Sequence, residues 1–370
     1  MAQGSNGSGD AGPAPTRRKR VMQVLRAVIS IAIVAGIFVG VLPRIANYSD
    51  VWATIADMTW LEVATLLLVA LWNLVTYWFV MVAALPGLRY GQAAVVNQAS
   101  TAISNTLPGG GAIGVGVTYA MYRSWGFTIA AITRSVVVSG IWNNFMKLGF
   151  PVVALALLAL TGDVSAALLT AAAAGVIALG VAIGLFALVL KSGAMARRVG
   201  DGLGNALSWL RGLFRRPAVT TVGDSAVRFR EDTIDLLRTR WIWLTLASFV
   251  SHFSLYLVLL IALRHVGVAE DELSWITVLA AFAFVRLISA LPITPGGVGV
   301  VELGYAAALT IGMNDAMSAQ VVAAILVFRF LTYFLPIPFG AIAYVFWRAN
   351  KSWREAPPDL EAEQLQTSKP

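Results

Sequence analysis

The sequence predicts an all-α integral membrane protein with about six spanning helices plus two re-entrant helical hairpins in an inverted-topology repeat. Three observations carry that expectation. Hydrophobic residues make up 58% of the 370 positions and charged residues 12%, with a mean hydropathy of +0.76; soluble domains average about 25% charged. Several apolar runs exceed the ~20 residues that cross a bilayer core. Two Pro-Gly-Gly breaks, in "NTLPGGGAIGVG" and "LPITPGGVGVVELG", interrupt apolar stretches at corresponding places in the two halves.

The expected spans follow in order. Residues 1–20 form a basic tail, and its Gly, Ser, Ala and Pro content predicts disorder. The first span is Val21–Leu42, retained as an anchor because no small-residue cleavage site precedes Pro43. The second is Trp60–Ala84, and the third is Thr128–Leu160, with a kink expected at Pro151. The fourth is Ser165–Leu190, the fifth Trp241–Leu263 and the sixth about Ala316–Trp347. Residues 349–370 form a second tail. The transmembrane domain is thus 21–348, with repeat one at about 59–162, a basic loop at 191–240 and repeat two at about 241–348.

Positive charge in short loops sets orientation. The "RRKR" at 17–20, ten basic residues between Lys191 and Arg240, and Arg348, Lys351 and Arg354 all belong on the cytoplasmic side. The acidic "EDE" at 270–272 belongs on the other. Both termini are therefore expected in the cytoplasm. The net charge of +8 fits anionic headgroups better than nucleic acid, because it sits at the membrane flanks. In the 191–240 loop, Leu203, Ala206, Leu207, Leu210, Leu213 and Phe214 recur at helical spacing. They are compatible with a solvated connector or with a helix lying on headgroups.

The two hairpins cover residues 91–125 and 273–313. The arms of the second, Leu273–Ser289 and Val298–Ile311, are roughly 26 and 21 Å long, short of the ~30 Å core. The entering arm of the first carries Gln92, Asn97, Gln98, Ser100, Thr101, Ser104 and Asn105, too polar to face lipid. Irregular backbone at membrane depth survives only when buried in protein or lining a wet cavity. One hairpin follows the second span and the other the fifth, so they enter from opposite sides, as in inverted repeats.

Each break starts a helix whose first N–H groups lack partners, an end suited to anions. The candidate substrate-binding residues are Asn105, Pro108, Gly109 and Gly110 in the first hairpin and Pro295, Gly296 and Gly297 in the second. Arg134, Arg286, Glu302 and Arg329 join them as charges at membrane depth. Glu302 either pairs with Arg286 or Arg329 to lock the hairpin, or takes up a proton during transport. Lys147 and Arg134 are the counterparts in the third span, unless Arg134 lies near the cytoplasmic surface. No catalytic residue, metal site or cofactor is expected. The absence of cysteine excludes thiol chemistry, and no G-x-S-x-G, Walker A or H-E-x-x-H pattern occurs. His265 and Glu270 have an H-x₄-E spacing in a short outer loop, a weak transferase pattern.

"LPITPGGVGVVE", with Pro292, Pro295, Gly296, Gly297, Gly299 and Glu302, together with "NTLPGGG" and the order of spans, resembles the lysylphosphatidylglycerol synthase transmembrane-region family. The resemblance covers roughly residues 20–348. It implies translocation of lipids across the bacterial inner membrane. The soluble aminoacyltransferase domain of bifunctional members is expected to be missing, since the chain ends soon after the last span. The expected substrate is an anionic phospholipid or a polyprenyl-phosphate-linked lipid, with a synthase or glycosyltransferase as partner. An intramembrane lipid-phosphate transferase and a non-transporting lipid-binding subunit of a synthase complex are the alternatives.

Overall fold

The computed structural model describes residues 47–107, 109–160, 166–212, 222–289 and 294–355, and residues 28, 39 and 43. The expected first span and both tails lie outside these, apart from Val28, Val39 and a few tail residues. Among the described residues the protein is all-helical, with one isolated bridge between Trp125 and Glu355.

The helices are α1 (Tyr48–Ala56), α2 (Trp60–Ala84), α3 (Tyr90–Thr106), α4 (Gly110–Ser124), α5 (Ile129–Leu160), α6 (Ala166–Lys191), α7 (Gly193–Gly212) and α8 (Val222–His265). Then come α9 (Trp275–Ile288), α10 (Val300–Leu309), α11 (Asp315–Arg329) and α12 (Pro336–Ala349). Five stretches are long and apolar enough to cross a membrane: Trp60–Ala84, Ile129–Leu160, Ala173–Lys191, part of Val222–His265, and Asp315–Ala349. They correspond to the second through sixth expected spans. Pro151 stands inside α5.

Local chemistry sets the starts. Thr59 and Glu62 cap α2 reciprocally, with the Thr59 N–H donating to Glu62 at 2.8 Å and the Glu62 N–H to Thr59 at 3.3 Å. Ser274 caps α9 and Asn314 caps α11 in the same way, each accepting from a backbone N–H three residues on. The sixth span is not one regular helix. A π-turn at Phe330–Phe334 joins α11 to α12, closed by Leu335 N–H donating to Phe330 at 2.8 Å. Pro336 has no N–H to continue the α-helical ladder, which favours this wider turn.

Both interrupted segments are helical hairpins. The arms α3 and α4 pack on each other, as do α9 and α10. At ~1.5 Å per residue, the 14 residues of α9 and 10 of α10 are about 21 and 15 Å long, too short to cross a ~30 Å core. Each hairpin sits between long helices: α2 and α5 flank the first, α8 and α11 the second.

Two expectations are sharpened. The 191–240 stretch holds a helix at the expected place, with Leu203 and Leu207 exposed. Its helix α7 packs against the first part of α8, with Arg197 paired to Asp224 at 2.7 Å. Gly200 faces Val222, Gly223 and Ala226 closely enough that a Cβ there would collide with them. The fifth span is the second part of α8, which begins 19 residues before Trp241. Leu213 and Phe214 lie outside the described residues.

The bundle interior is held by close approach and buried polar pairs. α2 and α8 pack along their length, and Asn73 Nδ2 donates to the Ser251 carbonyl at 2.9 Å and to Ser254 Oγ at 2.7 Å. α12 packs on α3, where a Cβ on Gly340 would strike the Gln98 carbonyl and the Ala102 side chain. Gly340→Ala should therefore cost about 1–3 kcal/mol by overpacking. Gly184→Ala on α6, where a Cβ meets open space, should be neutral or stabilising by up to about 1 kcal/mol. Thermal melts of the two variants in detergent check the contrast; equal melting points would refute the packing role of Gly340.

Candidate functional site

The second break is built around a buried ion pair. Glu302, only 1% exposed, sits in the first turn of α10. Its Oε2 accepts from the Gly299 N–H at 2.7 Å, and its Oε1 accepts from Arg329 Nε at 2.7 Å. Both carboxylate oxygens are thus engaged. The carboxylate also occupies the positive end of α10, where an external anion was expected. Arg329 closes the turn from the other side, donating through Nη2 to the Gly296 carbonyl at 3.1 Å. Of the two partners the sequence offered Glu302, the structure selects Arg329.

The turn itself needs glycine. Gly296, Gly297 and Gly299 have φ of 57°, 71° and 84°, a region that L side chains rarely adopt. Gly296 has a second reason: the Tyr333 ring lies where its Cβ would be. Thr294 Oγ1 donates to the Val298 carbonyl at 2.8 Å and closes the loop internally. Pro295 belongs to the short 3₁₀ turn Pro295–Gly297.

Tyr333 carries this arrangement to the first hairpin. The Arg329 guanidinium carbon is 4.6 Å from the Tyr333 ring centroid. The Tyr333 hydroxyl donates to the Asn105 carbonyl at 2.6 Å, and Asn105 Nδ2 returns a bond to the Tyr333 carbonyl at 3.2 Å. α3 also packs directly on the Pro295–Gly297 turn. The tips of the two hairpins therefore meet, bridged by a residue of the π-turn. In the first tip, Gly109 has φ of 71°, and Gly110 lies against the carbonyls of Ile103 and Ser104. Pro108 lies outside the described residues.

Beside the second tip is a cavity of about 250 Å³, lined among others by Lys147, Arg286, Ser289, Tyr305, Arg329 and Thr332. These residues come from α5, α9, α10, α11 and the π-turn, and Gly296 reaches it from the broken backbone. Three of the lining side chains are cations and none is an acid. Arg329 is balanced by Glu302. Arg286 and Lys147 have no such partner: among the described residues neither forms an ion pair, and Arg286 Nε is buried without a hydrogen bond. His252, also buried, donates from Nδ1 to the Ser248 carbonyl at 2.9 Å and leaves Nε2 unpartnered.

The remaining sequence candidates fall elsewhere. Arg134 faces Asp232 on the basic portion of α8 at 3.8 Å and does not line the cavity. Asn105, Gly109 and Gly110 build the first tip without lining it. His265 Nε2 contacts Thr65 Oγ1 at 2.8 Å, while Glu270 pairs with Arg264 and accepts from the Trp275 N–H. Glu270 thus serves the α8–α9 connection, and His265 ties the end of α8 to α2. Tyr305 and Thr332 were not singled out by the sequence; a hydroxyl on an apolar helix gives no signal until packing turns it toward a cavity.

Removing one member of a buried ion pair leaves the other uncompensated, at about 3–5 kcal/mol. Glu302→Ala and Arg329→Met should each lower detergent stability by about that amount. The Glu302→Ala/Arg329→Met double variant should lose less than the sum of the two. Thermal unfolding of the three proteins measures the coupling, and strict additivity would contradict the pairing.

A comparison with curated proteins finds no match. The model of the family described as "Lysylphosphatidylglycerol synthase TM region" matches residues 27–340, a stretch that takes in both broken hairpins, Glu302 and Arg329. The chain belongs to the lysylphosphatidylglycerol synthase transmembrane-region family, a membrane family related to lipid metabolism or transport.

Proposed function

We propose that this protein is a transporter, not an enzyme, and that it moves an anionic lipid between the leaflets of the bacterial inner membrane. The cargo is a phospholipid or a polyprenyl-phosphate-linked lipid. One observation carries the reading: a cavity at the second hairpin tip holds Arg286 and Lys147 without a counter-charge. Burying an unpaired cation is costly, so such groups mark a place where an anion arrives. Exposed apolar side chains stand next to the cavity residues in the chain: Leu287 and Ile288 after Arg286, and Phe330 and Phe334 around Thr332. They suit acyl chains that stay in lipid while the headgroup enters.

In this reading the hairpins are re-entrant and enter from opposite sides, with both termini cytoplasmic by the positive-charge rule. The two span–hairpin–span units rock against each other and alternate access to the cavity. Glu302, with both oxygens held, fixes Arg329 and the tip. A synthase or glycosyltransferase partner would supply or consume the lipid.

The test is leaflet exchange of fluorescent anionic lipids in liposomes containing the purified protein. Exchange should accelerate with protein. Arg286→Met should slow it at least about tenfold, and should also raise the melting temperature, because a half-buried charge without a counter-ion is removed. No acceleration with any anionic lipid would sink the transport reading. Binding without exchange would favour a lipid-binding subunit, and chemical turnover of the lipid in detergent would favour a transferase.

A further inference from the structure

We infer that the cavity selects a lipid whose headgroup ends in a phosphate monoester, a dianion, over phosphodiester or aminoacylated headgroups. The inference rests on the transport reading for its setting, but its own warrant is charge and size.

Charge comes first. Arg329 shares its charge with Glu302 at 2.7 Å, which leaves Arg286 and Lys147 as two uncompensated cations on the lining. Two free positive charges in a low-dielectric site match a headgroup carrying two negative charges. A phosphodiester brings one and leaves a cation stranded. An aminoacyl ester adds ammonium groups, and nothing in the cavity can receive them. No acid lines it among the described residues, and the carboxylate behind Arg329 has both oxygens occupied. Residues 290–293, between Ser289 and Thr294 in the sequence, are Ala-Leu-Pro-Ile and carry no charge.

Donor number and volume agree. A terminal phosphate presents three strong acceptor oxygens. The cavity offers the two cations and the Tyr305 hydroxyl, while the Ser289 and Thr332 hydroxyls donate to the Arg286 and Phe328 carbonyls. Its 250 Å³ is below the ~300–1,000 Å³ of pockets that enclose drug-sized ligands. A phosphate with its first ester linkage is compact, whereas a lysyl-glycerol headgroup is an extended chain with its own solvation shell.

The same phosphate chemistry occurs in a lipid and in free inorganic phosphate, so the experiment separates the two. Purified full-length protein in detergent is titrated with phosphatidic acid, phosphatidylglycerol and lysyl-phosphatidylglycerol of matched acyl chains, and with inorganic phosphate. The titrations are run at about pH 8, above the second phosphate pKa of about 6. Phosphatidic acid should half-saturate at a concentration at least about tenfold below phosphatidylglycerol, the effect of one further charge pair in a partly desolvated site. Lysyl-phosphatidylglycerol should bind more weakly than phosphatidylglycerol, and inorganic phosphate should not displace phosphatidic acid. Arg286→Gln and Lys147→Gln should each bring the phosphatidic acid and phosphatidylglycerol values close together. Equal binding of the two lipids by the unsubstituted protein overturns the inference, as does tightest binding of the lysyl lipid. Displacement by equimolar inorganic phosphate overturns the lipid assignment. Leaflet exchange, measured separately, keeps the two readings apart. Monoester preference without exchange removes transport and leaves the headgroup inference, and exchange without that preference does the reverse.

Discussion

The contact between Glu302 and Arg329 is the constraint on which the candidate site depends. It joins the first turn of α10 to the end of α11 and, through the Gly296 carbonyl, to the broken backbone between α9 and α10. A charge buried in protein at membrane depth is tolerated only when its hydrogen bonds are satisfied. Here Glu302 is satisfied by one amide and one guanidinium nitrogen, one on each oxygen, and its burial keeps it from other partners. The pair therefore fastens the broken backbone, with its left-handed Gly296, Gly297 and Gly299, to the first turn of α10 and the end of α11. Tyr333 extends the constraint by facing Arg329 with its ring and binding Asn105 with its hydroxyl. The π-turn gives Tyr333 this position: it brings the ring over Gly296, a contact that no side chain larger than hydrogen would permit.

That geometry decides the electrostatics of the cavity. Were Glu302 free, the lining would hold three cations and one accessible anion, and a zwitterionic or aminoacylated headgroup would find a receptor for each of its charges. With Glu302 committed to Arg329 and Gly299, the accessible charge is purely positive. The structural role of the glutamate and the selectivity of the site thus follow from the same two hydrogen bonds. A stability measurement and a binding measurement on this pair report on one physical arrangement.

Much of this was legible before any coordinates. The Pro-Gly-Gly breaks marked both hairpins to within a few residues, because glycine and proline punctuate an apolar background clearly. Glu302 announced itself as an ionisable residue at depth, and its partner was one of two named arginines. What sequence could not resolve was contact across distance. Asn105 and Tyr333 are 228 positions apart, and nothing local marks either as a bridge. Lys147 was noticed as a charge in the third span, but its place in the same cavity as Arg286 follows from the packing of α5 on α9. For Arg134 the sequence offered a role by analogy between the repeats or a place near the membrane surface; packing of α5 against α8 sets it beside Asp232, away from the cavity. The long α8 was hidden because its first part is charged and its second part apolar, so a hydropathy reading divides one helix into a loop and a span.

The two hairpins are similar in order but unlike in chemistry. The first has no charged side chain at its tip. Its arms meet through Gly110 and through Gly114, which faces Ser104 and the Ser100 carbonyl, and its entering arm is pressed by Gly340 of α12. These are packing devices of the small-residue kind used between membrane helices. The second hairpin brings Arg286, Glu302 and, from the neighbouring helix, Arg329. An inverted repeat with equivalent halves would place equal charge on both sides of the contact between the tips. This one concentrates positive charge on the side of α5, α9 and α11. A headgroup at the cavity would therefore meet one unpaired cation from each repeat, Lys147 from α5 and Arg286 from α9. The tips are joined by the Tyr333–Asn105 bonds, and the second tip is closed by the Glu302–Arg329 pair. Two hydrogen bonds between neutral groups are the weaker of the two connections, since bonds to charged groups contribute about 1.5–3 kcal/mol against about 0.5–1.5 for neutral ones. Tyr333 touches both connections, meeting Arg329 with its ring and Asn105 with its hydroxyl and carbonyl.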